Sequence, residues 1–221
     1  MFNKVLLATS AAVLISGSAR AADAIVYNEP APVAVVNTFS WEGAYIGANA
    51  GYGFGKMKAY DESIKPRGFV GGAQAGYNWQ FDQVVAGIEL DFQGSAMKKT
   101  VDLYDASGAY EGYGKAKIQW FGTVRGRLGA DIAERTMLYG TAGLAYGRVK
   151  VSATDGTDGI SAAKTRAGWT VGAGIEHAFT DNVTLKTEYL YTDLGKVKFV
   201  DDAEKVKTNF HTVRVGVNYK F

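Results

Sequence analysis

Apolar and polar side chains alternate along the stretch from His211 to Phe221, which closes the chain. The apolar members fall on one face of an extended backbone: Val213, Val215, Val217, Tyr219 and Phe221. The remaining members fall on the other: Thr212, Arg214, Gly216, Asn218 and Lys220. Successive side chains of a strand point to opposite faces, so the pattern predicts a strand with one apolar and one polar face. Such a strand suits either the edge of a soluble sandwich or a membrane barrel that turns its apolar side chains to lipid.

Seven further stretches show the same period of two. They predict strands at Gly43–Gly55, Gly68–Trp79, Val84–Gly94, Ala116–Ala130, Thr136–Arg148, Arg166–Phe179 and Val183–Leu194. Each can supply the roughly 9–11 residues with which a tilted strand crosses a bilayer. Lipid offers no hydrogen-bond partner to an open strand edge, so the eight strands are expected to close on themselves. The predicted fold is all-β: an eight-stranded antiparallel, up-and-down transmembrane β-barrel.

The connections between these strands alternate in length. Three are short and polar: Gln80–Gln83, Asp131–Arg135 and Thr180–Asn182. Four are long, with 12 to 20 residues: Lys56–Arg67, Ser95–Gly114, Val149–Thr165 and Gly195–Thr208. Short turns in the periplasm and long loops outside the cell are typical of outer-membrane barrels, whereas a soluble sandwich has no reason to alternate so regularly.

The outward-facing aromatic residues form two groups in this topology. Those near the long loops are Tyr52, Phe54, Phe69, Phe92, Trp120, Tyr146, Trp169, Tyr189 and Tyr191. Those near the short turns are Tyr77, Trp79, Phe179, Tyr219 and Phe221. Rings at both strand ends predict two aromatic girdles at the membrane interfaces. On the fourth strand the alternation also turns Ile118 outward, and Lys117 and Gln119 inward.

The first 21 residues have the form of a secretory signal peptide. Lys4 precedes the apolar run Val5–Ile15, and small residues near Ala21 predict cleavage after it. Sec-type export would deliver the chain to the periplasm and the outer membrane. Residues 22–40 have no clean period and are interpreted as a flexible periplasmic lead-in, followed by the barrel at residues 41–221.

Composition narrows the alternatives. The chain has 221 residues, enough for one sizeable domain, and no apolar run long enough for a spanning helix. It has no cysteine, which excludes disulfides and thiolate metal sites. Without the two cations of the signal peptide, the 24 basic residues become 22, equal to the 22 acidic ones. A neutral mature chain gives no electrostatic support to a nucleic-acid partner.

Charged side chains gather on the inward faces of neighbouring predicted strands. They are Glu89, Asp91, Arg125, Arg127, Glu176, Lys186, Glu188 and Arg214. An eight-stranded barrel has room for side chains and little else, so these charges are expected to pair in a mostly filled lumen. The two arginines of the fourth strand are expected to face Glu89 or Asp91. A narrow or gated ion path is the alternative.

The two histidines form neither a catalytic nor a metal site. By parity, His177 and His211 both lie on outward faces. Glu176 precedes His177, but adjacent strand residues point to opposite faces, so no His–Ser–acid set forms. Without cysteine, or two histidines at ligand spacing, a metal site has no support either. We therefore expect no enzyme activity and no resident cofactor.

Eight segments together resemble a known family: FSWEGAYIGANAGYGFG, GFVGGAQAGYNWQ, DFQGS, WFGTVRGRLG, YGTAGLAYG, AGWTVGAGIE, LKTEYLYTDLG and NFHTVRVGVNYKF. They resemble the small major outer-membrane proteins of alphaproteobacteria, which include the Brucella immunogenic porin-like proteins, the RopB proteins of Rhizobium and the hemin-binding proteins of Bartonella. The likeness covers the signal peptide and every strand but not the long loops. It implies an eight-stranded barrel and an abundant surface antigen. Some members are linked to haem binding and others to porin-like behaviour, so both functions stay open.

Two further patterns suggest partners. The end of the closing strand resembles the C-terminal signal that outer-membrane proteins present to the barrel-assembly machinery, carried here by Val217, Tyr219 and Phe221. Four cations make the first long loop basic: Lys56, Lys58, Lys65 and Arg67. A basic loop suits contact with the phosphates of outer-membrane lipid and lipopolysaccharide.

Haem is the candidate ligand that the resemblance introduces. It needs an axial donor such as His, Tyr or Met. The second long loop holds four such residues, with two lysines available to a propionate: Met97, Tyr104, Tyr110 and Tyr113, with Lys98 and Lys99. His211 lies just below the fourth loop. The lumen is too narrow for a macrocycle, so any haem binding is expected in the loops. The sequence thus indicates a structural, surface-exposed barrel, with a haem receptor and a porin-like channel as alternatives.

Overall fold

The computed structural model describes residues 39–59, 62–104, 107–154, 159–197 and 206–221. The predicted signal peptide and most of the predicted lead-in lie outside these ranges. Within them the chain forms ten strands and no helix. The strands are β1 (Gly43–Ala59), β2 (Glu62–Ile64), β3 (Arg67–Phe81), β4 (Val84–Ser95), β5 (Lys98–Tyr104), β6 (Tyr110–Ala133), β7 (Thr136–Thr154), β8 (Gly159–Ala178), β9 (Val183–Val197) and β10 (Val206–Lys220). No helix that could span a membrane is found in the described part of the chain.

Eight of the strands close into a ring. Its order is β1, β3, β4, β6, β7, β8, β9 and β10, and every neighbouring pair is antiparallel. The last strand returns to the first, with a register that runs from Tyr45 opposite Lys220 to Lys58 opposite Lys207. Closure gives every barrel strand a partner on both sides, which lipid requires of a spanning sheet. The predicted eight-stranded barrel is confirmed.

The two remaining strands lie beyond the loop end of the ring. Strand β2 pairs with the end of β1, and β5 pairs with the beginning of β6. The predicted strands are therefore too short at this end, and β6 reaches 24 residues. Outside the membrane both faces of a hairpin meet water, so pairing there leaves no apolar–polar alternation in the sequence.

Tight turns connect the strands at the opposite end. Asp82 and Gln83 join β3 to β4, and Glu134 and Arg135 join β6 to β7. Asp82 and Arg135 adopt φ of 56° and 57°, the left-handed region that short turns between strands use. These turns coincide with two of the predicted short connections.

Apolar side chains face outward over the middle of the barrel. Leu90, Leu128 and Leu144 are 53%, 63% and 68% exposed on the protein surface. The intervening residues of the same strands are buried inside. A continuous exposed apolar band of this kind is what a bilayer covers.

Aromatic rings contact each other at both ends of the apolar band. At the loop end, the Trp120 ring lies between Phe92 and Tyr146, with centroid distances of 5.6 and 6.1 Å. At the turn end, the rings of Tyr219 and Phe221 are 5.3 Å apart. The two groups lie where the sequence predicts the outer and inner girdles.

Two predicted orientations on β6 are wrong. Ile118 is fully buried inside the barrel mouth, and Lys117 lies on the outer face together with the other half-buried lysines of β6 and β7. The register between β6 and β7 shifts between Ile118 and Trp120, which marks a β-bulge at Gln119. An extra residue in one strand inverts the side-chain alternation beyond it. Every position of β6 between the bulge and the loop end therefore changes face.

Candidate functional site

All eight residues of the predicted inward charge cluster lie in the lumen of the barrel. None is more than 5% exposed. Four are carboxylates and four are cations, so their formal charges balance. We call these eight residues the lumen network: Glu89, Asp91, Arg125, Arg127, Glu176, Lys186, Glu188 and Arg214.

Arg125 lies at the centre of the lumen network and contacts three carboxylates. Glu89 is directly opposite on β4 and accepts a short hydrogen bond from Arg125 Nη2. The same nitrogen is 3.0 Å from Asp91 Oδ2, and Nη1 donates to Glu188 Oε1 at 2.9 Å. Glu188 is on β9, so the guanidinium bridges the lumen rather than only its own wall.

Two cations from β9 and β10 complete this layer. Lys186 Nζ donates to both carboxylate oxygens of Glu89, at 2.8 and 2.7 Å. Arg214 Nη2 donates to Glu188 Oε2 at 2.5 Å and lies 3.3 Å from Asp91 Oδ2. Each carboxylate of the layer therefore meets at least two cations, which offsets the cost of burying it.

A second layer lies closer to the periplasmic turns. Arg127 Nη2 donates to Glu176 Oε2 at 2.5 Å. Glu176 Oε1 accepts hydrogen bonds from the Thr184 hydroxyl at 2.6 Å and the Asn218 amide at 2.8 Å. A buried charge keeps its charge when hydrogen bonds and an opposite charge replace water, and Glu176 has both.

Two lumen tyrosines were not among the predicted site residues. The Tyr45 hydroxyl donates to Glu89 Oε2 at 2.7 Å, and the Tyr139 ring stacks under the Arg127 guanidinium at 4.1 Å. Each tyrosine packs against a glycine of the facing strand, Gly76 or Gly174, where a Cβ would collide with the phenol ring. The sequence does place both tyrosines at inward-facing positions of their strands, opposite these glycines, and that was the available signal.

Apolar clusters close the lumen above and below the charges. The outer plug, on the loop side, consists of Met57, Val70, Met97, Ala116, Ile118, Phe121, Ala145, Val149, Leu194 and Phe210. The inner plug, on the turn side, consists of Trp41, Val85, Met137, Tyr139 and Ala178. The Phe121 and Phe210 rings meet at 4.9 Å although β6 and β10 lie on opposite sides of the ring. At the other end, Trp41 Nε1 donates to Asp131 Oδ1 at 2.5 Å, which fixes the indole across the opening.

A comparison with known proteins identifies the family. Residues 9–221 match the family model described as an outer membrane protein beta-barrel domain. The chain belongs to this outer-membrane β-barrel family. It is 50% identical to the 31 kDa outer-membrane immunogenic protein of Brucella melitensis, over 99% of this chain and 100% of that protein. It is 40% identical to the 25 kDa outer-membrane immunogenic protein of Brucella abortus, over 99% of this chain and 98% of the relative.

A further relative agrees with this membership. The 22 kDa outer membrane protein of Rhizobium leguminosarum is 38% identical over 82% of this chain and 79% of its own length. Among solved structures, Neisserial surface protein A is similar at a TM-score of 0.48 and 20% identity, over 81% of this chain and 97% of that one. The protein is thus an outer-membrane β-barrel whose relatives include the immunogenic proteins of Brucella.

The residues considered for haem lie in separate places in this outer-membrane barrel, although the rings of Tyr104 and Tyr110 are in contact at 6.1 Å. Tyr104, Tyr110 and Tyr113 are exposed on the β5–β6 hairpin. Met97 is not available, because it is fully buried in the outer plug. His211 lies on β10, opposite β6 in the ring, so it cannot share a ligand with the tyrosines across the barrel wall.

His211 belongs to the outer girdle. Its ring stacks on Phe54 at 5.2 Å, and the Tyr189 hydroxyl lies 2.6 Å from Nδ1. Both neighbours are outward-facing residues of adjacent strands. These contacts account for the histidine as an interfacial side chain.

The three residues of the proposed assembly signal face outward at the periplasmic end. Val217, Tyr219 and Phe221 are 51%, 50% and 73% exposed. The Phe221 backbone donates to the Ala44 carbonyl at 3.0 Å, so the terminal residue still belongs to the seam between β10 and β1.

Proposed function

We propose that this protein is a closed outer-membrane barrel whose function is structural and surface-exposed, with the β-hairpins beyond the outer girdle as its antigenic part. The observation that carries the proposal is the lumen: a balanced network of eight charges lies between two apolar plugs. A conducting pore needs a continuous wet path, and this lumen is filled by side chains.

The lumen network also resists opening. Arg125, Arg214 and Lys186 each link two or more strands through ion pairs within 3.3 Å. Breaking the ion pairs of any one of these cations would leave a buried charge without a partner, which is strongly unfavourable. An ion that entered would further have to pass the aromatic contact of the outer plug.

A haem receptor is the less supported alternative. A cleft of about 830 Å³ lies between β2 and β5, lined by Ser63, Ile64, Lys65, Arg67, Lys99 and Val101. Its lysines and arginine could hold propionates, but these lining residues include no His, Tyr or Met to serve as axial ligand. The exposed tyrosines of the same hairpin are the remaining donors.

Conductance in planar bilayers tests the proposal. The refolded protein is expected to give no stepwise current, with or without haem present, under conditions in which a general porin does. Stepwise current whose size changes in an Arg125→Ala variant would show that ions pass through the lumen, and the closed-barrel proposal would be abandoned.

A haem titration tests the alternative function, a haem receptor. The proposal expects no stoichiometric haem absorbance band with the intact barrel. If a band forms, the variant with Tyr104→Phe, Tyr110→Phe and Tyr113→Phe is compared with His211→Ala. Loss of the band in the triple variant would establish a haem-binding function in the loops, since phenylalanine keeps each ring but removes the donor oxygen.

A further inference from the structure

A row of cations crosses four neighbouring strands just beyond the outer girdle. The register places Arg67 on β3 opposite Lys98 on β5, Lys98 opposite Lys117 on β6, and Lys117 opposite Lys150 on β7. Directly paired residues of a sheet point to the same face, so these four side chains lie side by side. We call these four residues the cationic row.

The cationic row lies on the lipid side of the sheet, at the height of the headgroups. The side chains that alternate with it point inward and are buried, as Ala116 and Val149 show. Lys117 precedes Trp120 of the girdle by three residues on β6, and Lys150 follows Tyr146 by four on β7. At about 3.3 Å per residue, the lysines are roughly 10 to 13 Å along the strand from the girdle, within reach of the interfacial region.

In the part of the chain that the structure describes, no carboxylate pairs with the cationic row. The ion pairs among the described residues include none of its four members. Asp102, four residues beyond Lys98 on β5, forms none of these pairs either. Like charges directly opposite each other destabilise a sheet, so the fold holds an unfavourable arrangement that an anion would relieve.

A small cavity on the same face offers a site for such an anion. Its volume is about 190 Å³, and it is lined by Lys115, Lys117, Gln119, Lys150 and Ser152. Three ammonium groups, an amide and a hydroxyl are all hydrogen-bond donors, and no carboxylate is among these lining residues. Phosphate oxygens are the acceptors that such a donor set binds best.

We propose that the cationic row and this cavity bind the phosphate groups of a phosphorylated glycolipid of the outer leaflet. The location of the site favours a lipid over a soluble anion, because the strands that carry these lysines continue directly into the exposed aromatic and aliphatic band. The phosphates of a glycolipid reach the lysines while its acyl chains cover that band. A soluble phosphate would use the lysines alone. The site lies outside the lumen and is independent of whether the barrel conducts.

The test uses the full mature barrel refolded in detergent micelles. Diphosphoryl lipid A, the same lipid A with its phosphates removed, and inorganic phosphate are titrated in turn. Binding is followed by tryptophan fluorescence, since Trp120 lies beside the site, and by the unfolding temperature. The test variant is Lys117→Gln with Lys150→Gln. The matched control is Lys99→Gln with Lys164→Gln, which removes the same charge from the inner face of the sheet, where these lysines lie opposite the buried Ala116 and Val149.

Wild type and the control variant are expected to bind diphosphoryl lipid A about tenfold or more tightly than the dephosphorylated form, because hydrogen bonds to charged groups are lost with the phosphates. The test variant should lose this preference. Its unfolding temperature without lipid should be unchanged or higher, since a pair of like charges has been removed.

Three outcomes would overturn the proposal. Equal affinity of wild type for both forms of lipid A would show that phosphate is not recognised. An equal loss in the Lys99/Lys164 control would show that net charge, and not this site, attracts the lipid. Complete competition by stoichiometric inorganic phosphate would assign the site to a soluble anion.

Discussion

Replacing Arg125 by methionine should destabilise the barrel more than any other single change in the lumen network. The substitution keeps much of the aliphatic volume but removes a cation that contacts three carboxylates. Glu89 retains Lys186 at 2.7 Å and Glu188 retains Arg214 at 2.5 Å. Asp91 retains Arg214 at 3.3 Å, but must share it with Glu188. The lumen then carries one uncompensated negative charge.

The expected cost follows from that imbalance. Removing one partner of a buried ion pair costs roughly 3–5 kcal/mol, because the other partner stays desolvated without compensation. A loss of about 3 kcal/mol lowers the folding equilibrium constant about 150-fold. By contrast, Arg135→Met makes the same chemical change at an exposed pair with Asp181, where the side chains are 33% and 75% accessible. That control should cost less than about 1 kcal/mol.

A second variant separates charge imbalance from lost packing. Adding Asp91→Asn to Arg125→Met leaves three closed pairs: Glu89 with Lys186, Glu176 with Arg127, and Glu188 with Arg214. Asparagine can still accept the hydrogen bond from Thr123. The double variant should therefore recover at least about 2 kcal/mol relative to Arg125→Met, the coupling expected of residues in one network.

Urea unfolding in phospholipid vesicles, followed by tryptophan fluorescence and by the electrophoretic shift of the folded barrel, gives these free energies. The reasoning is refuted if Arg125→Met costs no more than Arg135→Met, since the lumen would then be wet enough to screen its charges. It is also refuted if the double variant is no more stable than Arg125→Met, since lost packing and not charge would then explain the effect.

Three further predictions concern the ends of the chain and the outer plug. Deleting Phe221, which faces outward at the seam, should lower the yield of folded barrel in the outer membrane far more than deleting Gly108 in the β5–β6 turn; equal yields would contradict an assembly role. The mature protein should begin at Ala22 and fractionate with outer membranes, which N-terminal sequencing of that fraction checks. Phe210→Ala should cost about 3–5 kcal/mol in the same urea assay, because a cavity replaces a fully buried ring that meets Phe121; a cost below about 1 kcal/mol would mean that the outer plug is loosely packed.

The barrel could be predicted from sequence because a membrane strand has two different solvents on its two faces. On β4, Glu89 and Asp91 alternate with Leu90 and Phe92, so polarity alone assigns each side chain to lumen or lipid. Beyond the girdle this contrast disappears. The hairpins there extend β6, β7 and β8 well past their predicted ends, and nothing in the period of two marks them.

The lumen illustrates a different limit. Parity assigns Arg125 and Glu188 to the same interior, but their contact joins strands that are not neighbours in the ring. Which inward charges meet across a barrel depends on strand tilt and stagger, which no local pattern encodes. The inner plug was missed for a related reason: Trp41 precedes the first strand, and its indole reaches Asp131 at the far end of β6.

The bulge at Gln119 shows how much can depend on one residue that a periodic pattern cannot reveal. The segment from Lys115 to Trp120 alternates strictly between polar and apolar residues, and this alternation alone does not decide which set faces inward. The bulge selects the register that buries Ile118 in the outer plug and turns Lys117 outward, opposite Lys98 and Lys150. Without it, a lysine would enter the apolar contact between Phe121 and Phe210, and the cationic row would be interrupted on β6. The closed mouth and the proposed glycolipid site are therefore two consequences of the same local insertion.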